Sequence, residues 1–294
     1  MFSLGPARST AKRGTLTAII LAMGTLTAAA QPSSVSADKS GYTLFNPTPR
    51  SLMRPLAADR PDATESPVTV DAGHIQIETS FIDFTLNDDA ATTRSIALFD
   101  TNLKIGLTNN IDLQILFSPH THERTGSPGS RSTVRSPSDI QLRTKINLWG
   151  NDQPGPSNTA FGVMPYVTIP TGVSLGTGKV EGGLIAMIGW DAAENYSLGF
   201  QIETAFIHDP ADDSHDTEIS HTAVLGFDLI GDLGAYIEYL GVISTDADGD
   251  YLPFFSTGVT YALTEDLVLD FGTRIGLVDN ADDINLFTGI TARF

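Results

Sequence analysis

The sequence predicts an all-β chain: a closed antiparallel transmembrane β-barrel of about twelve strands, within a range of about ten to fourteen. Three observations carry this expectation. The chain begins with an export-type segment, it alternates apolar and polar residues from Val70 to its last residue, and its connections alternate between short turns and longer polar loops.

In the first segment Arg8, Lys12 and Arg13 precede an apolar stretch from Leu16 to Leu26 and the small-residue run Ala28-Ala29-Ala30. Such a stretch is shorter than the roughly 20 residues a spanning helix needs, so it reads as a signal peptide, residues 1–30, cleaved near Ala30. No later window supplies the roughly 18 consecutive apolar residues of a membrane helix. A membrane location therefore requires a closed barrel, which alone among sheets satisfies every backbone group in lipid. Removal of the signal leaves 14 basic against 35 acidic residues, a net charge of −21, which argues against a nucleic-acid partner. The chain has no cysteine, which excludes disulfides, thiolate nucleophiles and Cys-ligated metals.

Residues 31–69, rich in Ser, Pro, Thr and Ala, read as an irregular periplasmic segment, and residues 70–294 as the barrel. Ile75, Ile77, Thr79 and Phe81 alternate with His74, Gln76, Glu78 and Ser80 in the first strand. Leu103, Ile105 and Leu107 end a second, and Ile111, Leu113, Ile115 and Phe117 begin a third. In a fourth, Ile140, Leu142, Ile146 and Leu148 alternate with Gln141, Arg143, Lys145 and Asn147. Further strands fit 161–169, 180–190, 196–206, 218–229, 235–243, 252–263, 267–277 and 284–294.

Short turns fall at 108–110, 191–195, 230–234 and 264–266, and longer loops at 119–138, 170–179, 208–217 and 244–250. The connection at 150–158 breaks this rule, being long on the short-turn side. A charge on the lipid face near the midplane costs roughly 2 to 4 kcal/mol. Arg143 and Lys145 are therefore expected to look into the lumen, with Glu78, Lys104, Gln114, Gln201, Glu203, Glu238, Asp270 and Arg274. A barrel of this size should have a narrow or partly plugged pore. Trp190 and Tyr196 at one rim, and Phe81, Phe117, Phe206 and Phe254 toward the other, suit interfacial girdles.

The last strand alternates from Ile284 to Phe294, and resembles the C-terminal signal that the barrel-assembly machinery reads, with Phe294 as the terminal aromatic. The run from Ala58 through Asp59, Arg60, Pro61, Asp62, Ala63, Thr64, Glu65 and Ser66, continuing to Val70, Gly73-His74 and Gln76-Ile77-Glu78, resembles the start of a bacterial outer-membrane transporter family. That family is labelled as phenol-degradation meta-pathway protein. The strand-turn-strand from Leu103 to Leu113 is also similar to it. The resemblance implies an outer-membrane barrel, sometimes linked to uptake of aromatic or other hydrophobic molecules, with no catalytic residues to carry over.

Asp59, Arg60, Pro61 and Asp62 read either as a plug or salt-bridged latch or, preferred here, as a tight turn capping the lower rim. His120, His122 and Glu123 could clasp a metal, but a solvated loop is the expected state, and Arg124, Arg131 and Arg135 there could fold inward or contact anionic surface lipid. Asp246, Asp248 and Asp250 lack the spacing of a calcium loop. With Asp209, Asp212, Asp213, Asp216, Asp279, Asp282 and Asp283 they form an acidic outer rim. No metal or cofactor is expected. The expected partners are outer-membrane lipids, the assembly machinery and a small-molecule solute. The leading function is a passive channel; a structural or adhesive barrel with a plugged lumen is the alternative, and an outer-membrane lipid hydrolase the least favoured.

Overall fold

A computed structural model describes residues 38–88, 92–127, 129–152, 156–209, 213–244 and 251–294. The signal segment with its cleavage site at Ala30, and Asp212, Asp246, Asp248 and Asp250, lie outside the described residues.

Among the described residues fifteen strands form one sheet: β1 Ile75–Asp88, β2 Thr92–Leu98, β3 Thr101–Thr108, β4 Ile111–Phe117, β5 His120–Ser127, β6 Ser130–Ser136, β7 Ile140–Trp149, β8 Thr159–Ile169, β9 Glu181–Ala193, β10 Tyr196–Asp209, β11 Ser214–Ile230, β12 Leu233–Ser244, β13 Tyr251–Thr264, β14 Leu267–Gly276 and β15 Ile284–Arg293. All pairings are antiparallel, and β15 closes on β1 from Gln76↔Arg293 to Leu86↔Ile284. The barrel has twelve walls, because β2 continues β3, β5 continues β4 and β6 continues β7. Prolines explain two of these interruptions: Pro119 and Pro137 bring no N–H to the ladder. Ser138 N–H instead donates to the Ser118 carbonyl at 2.9 Å. At the third, Phe99 turns the backbone with φ 58°.

The stretch 119–138, read from sequence as a flexible loop, is thus a hairpin, β5 and β6, that extends the sheet beyond the far rim. Strand alternation points Glu123 away from the face shared by His120 and His122, so the three cannot converge on one ion. Among the described residues no cluster of His, Asp and Glu fits a metal.

The polarity of the wall is inverted relative to a water-soluble sheet. Lys104, Gln114, Lys145, Glu238 and Ser256 are buried on the inner face, while Ile82, Leu184, Ile202, Phe206 and Phe271 are exposed on the outer. Ile202 is 54% exposed and Lys145 1%. A surface of this kind is stable only where the surrounding medium is itself apolar, which makes the barrel membrane-spanning. No described helix is long and apolar enough to cross a membrane. Phe81, Trp190, Tyr196 and Phe206 are exposed, as girdle residues should be. Phe254 is different: it pairs with Leu240 and Gly276 on the inner face, and its neighbour Phe255 takes the outward position. One residue of register along β13 decides which phenylalanine meets lipid.

Candidate functional site

The chain between residues 38 and 74 forms two isolated bridges at Thr43 and one short 3-10 turn, and contributes no strand to the wall. Its hydrogen bonds reach β1, β3, β4, β7, β10, β11, β12 and β14, strands on every side of a closed ring. Only a segment inside the lumen can touch them all. The preferred sequence reading, in which Asp59 to Asp62 cap the lower rim, is therefore corrected: these residues sit within the barrel.

The physical reason is charge pairing. Lys104 on β3 and Lys145 on β7 project inward from strands whose outer faces are apolar. One Asp59 carboxylate oxygen accepts from both ammonium groups, at 2.6 Å for Lys145, and Glu78 completes the Lys104 site. The other Asp59 oxygen accepts the Ser66 N–H at 2.8 Å, which folds residues 59–66 into a closed loop. Glu65 pairs with Arg143 at 2.7 Å and Lys145 at 3.3 Å, and its N–H donates to Gln201. On the opposite wall Arg60 holds Asp270 through two nitrogens at 2.8 and 3.1 Å and donates to Ser80 at 2.7 Å. Thr64 donates to Glu238 and meets the Thr222 hydroxyl, both at 2.7 Å, while the Ala63 N–H also points at Glu238. Pro61 is buried, and Asp62 lines a cavity of ≈ 520 Å³ between the segment and the β8–β12 wall. Leu56, Pro67, Ala160, Val224 and Tyr236 give that cavity apolar sides.

Nearer the chain ends a second clamp forms. Asp71 pairs with Lys39 and Arg54, and Asp152 pairs with the same two cations. Asn151 donates to Thr69 and to the Asn109 carbonyl. The long connection at 150–158 is thus explained, since its first residues hold the inner segment. His74 ties the inner segment to the last residue, its ring nitrogens lying 2.7 Å from the Thr48 carbonyl and 3.0 Å from that of Phe294. Phe294 itself extends the β15–β1 ladder, its N–H donating to Ile75 at 2.8 Å. At the rim Asp266 accepts from Arg50 and Arg293; these hydrogen bonds, Arg50 first, hold its carboxyl below the usual range.

Gln114 donates to Asp112, which accepts the Val70 N–H at 3.0 Å. Glu203 lies farther up the lumen, bonded to Tyr166 and, at 3.3 Å, to Ser220. Arg274 lines a separate ≈ 230 Å³ cavity with Asp83, Phe254 and Asn285. Every inward-facing residue expected from sequence lies on the inner face, but most of those in the near half meet the inner segment rather than an open pore.

Sequence reasoning passed over Arg54, Thr64, Asp71, Asn151, Asp152 and Thr222. The overlooked signal was glycine. A Cβ on Gly106 would lie 2.0 Å from the Asp71 carbonyl oxygen, and one on Gly289 2.7 Å from the Arg60 guanidinium. Glycine in a strand interior marks just such a close approach.

His208 meets Asp213, His215 the Val180 carbonyl and His221 the Tyr251 hydroxyl.

A family model described as Putative MetA-pathway of phenol degradation matches residues 58–294. No curated protein matches. Among solved structures, the outer membrane channel from Pseudomonas putida F1 is similar at 14% identity, covering 81% of this chain and 100% of its own, with a TM-score of 0.60. The translocator domain of the autotransporter NalP from Neisseria meningitidis covers 75% of this chain and 88% of its own at 9% identity, with a TM-score of 0.48.

Proposed function

Since the chain belongs to the family described as Putative MetA-pathway of phenol degradation, we propose that it is an outer-membrane channel for small solutes whose lumen is occluded by its own residues 54–70. The observation that carries this reading is the nature of the plug's attachment. Asp59, Arg60, Thr64 and Glu65 are held by ion pairs and hydrogen bonds to the wall, not by an apolar core. Water can replace such partners on both sides, so the segment can leave the wall, and what remains is a charged, hydrated passage.

The solute class follows from the family and from the ≈ 520 Å³ cavity beside the plug. Its apolar sides and the Asp62 carboxylate suit a small ring compound carrying a polar group, as phenols do. No catalytic role is assigned. After export and signal cleavage the C-terminal strand ending at Phe294 would serve barrel assembly.

Ion conductance and phenol uptake into proteoliposomes test the proposal. Replacement of Arg143 or Lys145 by Ala should raise both, because each change removes a cation that holds a carboxylate of the plug. A second reading, a structural or adhesive barrel, is favoured by the same occlusion. Lack of permeability in every such variant, with the barrel still folded, would select it.

A further inference from the structure

The sheet extension formed by β2, β5 and β6 has two unlike faces. In β1, Phe84 pairs with Leu286 on the outer, lipid-exposed face, and its partner across β2 is Ile96. Counting by twos from Ile96 places Arg94 on that same outward face. The register then places Arg124 opposite Arg94, His122 opposite Ile96, and Arg135 opposite His122. Arg131, opposite Gly126, completes the set, and all four arginines are exposed. The inward face of the same strands carries Thr93, Ser95, Thr121, Thr125 and Ser132, with Glu123 as its acid.

Arg94 and Arg124 are directly opposed across adjacent strands, an arrangement that is destabilising in isolation. Among the described residues no carboxylate pairs with Arg94, Arg124, Arg131 or Arg135, in a chain of net charge −18. Arg94, Arg124 and Arg131 line one side of a cleft with Gly126 and Ser130. The cluster begins two residues, about 7 Å, beyond the outward Ile96, where the apolar belt ends and headgroups lie.

We propose that this outward patch binds the phosphate groups of an anionic lipid in the outer leaflet. Guanidinium groups match phosphate oxygens with paired N–H donors, and a phosphate between Arg94 and Arg124 converts their repulsion into two charge-assisted contacts. The outward orientation and the adjoining apolar belt select a lipid-borne phosphate over a free one, because acyl chains alongside Ile96, Phe84 and Leu98 add apolar contact that inorganic phosphate lacks.

Native mass spectrometry of the full-length mature protein in detergent tests this with three probes: bisphosphorylated lipid A, the same lipid after phosphatase treatment, and inorganic phosphate. The expected result is an adduct with the phosphorylated lipid only, weakened at least about tenfold in R94Q/R124Q and further in R131Q/R135Q. The comparison between the first two probes uses the unaltered protein, so it stands whatever the variants do. Equal binding of the dephosphorylated lipid, full competition by inorganic phosphate, or undiminished binding by folded R94Q/R124Q would overturn the proposal.

Discussion

The near-rim and far-rim halves of the lumen are built from the same strands, yet they satisfy their polar side chains in different ways. In the near half Lys145, Asp270, Glu238 and Gln201 find partners in the inner segment. In the far half the wall bonds to itself: Tyr166 to Glu203 and Asn285 to Asp83 at 2.6 Å. These far-half contacts need no residue of the segment, whereas those of the near half do. A wall that keeps two buried lysines on strands separated only by β4 has its charges arranged for an occupant.

The largest way to break this comparison is Asp59→Ala. It removes the carboxylate shared by Lys104 and Lys145, leaving them only Glu78 and Glu65, and breaking a buried ion pair from one side costs about 3–5 kcal/mol. Conductance in planar bilayers should rise, and a cysteine placed at Ala63 in this cysteine-free chain should change from protected to reactive toward a thiol reagent. Next is Gly106→Ala, which forces residues 70–72 away from β3 at a cost of about 1–3 kcal/mol, read as increased proteolysis of the segment with the barrel intact.

Thr222→Val should follow, with about 1 kcal/mol lost from the Thr64 site, seen as modestly faster labelling at position 63. Tyr166→Phe sharpens the contrast, since it alters the far half alone and should leave labelling at position 63 unchanged. The smallest effect belongs to the exposed Arg50–Asp266 contact, where Arg50→Gln should cost below about 1 kcal/mol. Because the Asp266 carboxyl is held low when folded, this contact is fully formed above the ordinary carboxylate range of about 4 and fails as pH falls through its lowered value. Proteolysis near Arg50 at neutral and acid pH measures that.

The two halves also differ in what the sequence discloses. The wall was legible because inside-outside alternation is a local, period-two property, so residues such as Lys104 and Arg274 declare their face from their neighbours alone. Phe254 was misassigned because Phe255 follows it, and a pair of adjacent aromatics leaves the register undecided. The inner segment has no periodicity to read. Its conformation is fixed by partners more than one hundred residues away, as Thr64 is by Glu238 and Arg60 by Asp270. Two clues were nonetheless present: the long near-rim connection beginning at Gly150, and the inward glycines Gly106, Gly199 and Gly289, which leave space where a wall residue would otherwise project.

The most direct test of occlusion uses the Thr64 and Thr222 hydroxyls, 2.7 Å apart. In the double variant T64C/T222C a disulfide should form on oxidation, conductance should stay at its minimum, and reduction should raise it. Failure of the bond to form would show that the segment does not sit in the lumen; equal conductance in the oxidised and reduced forms would show that it sits there without closing the channel.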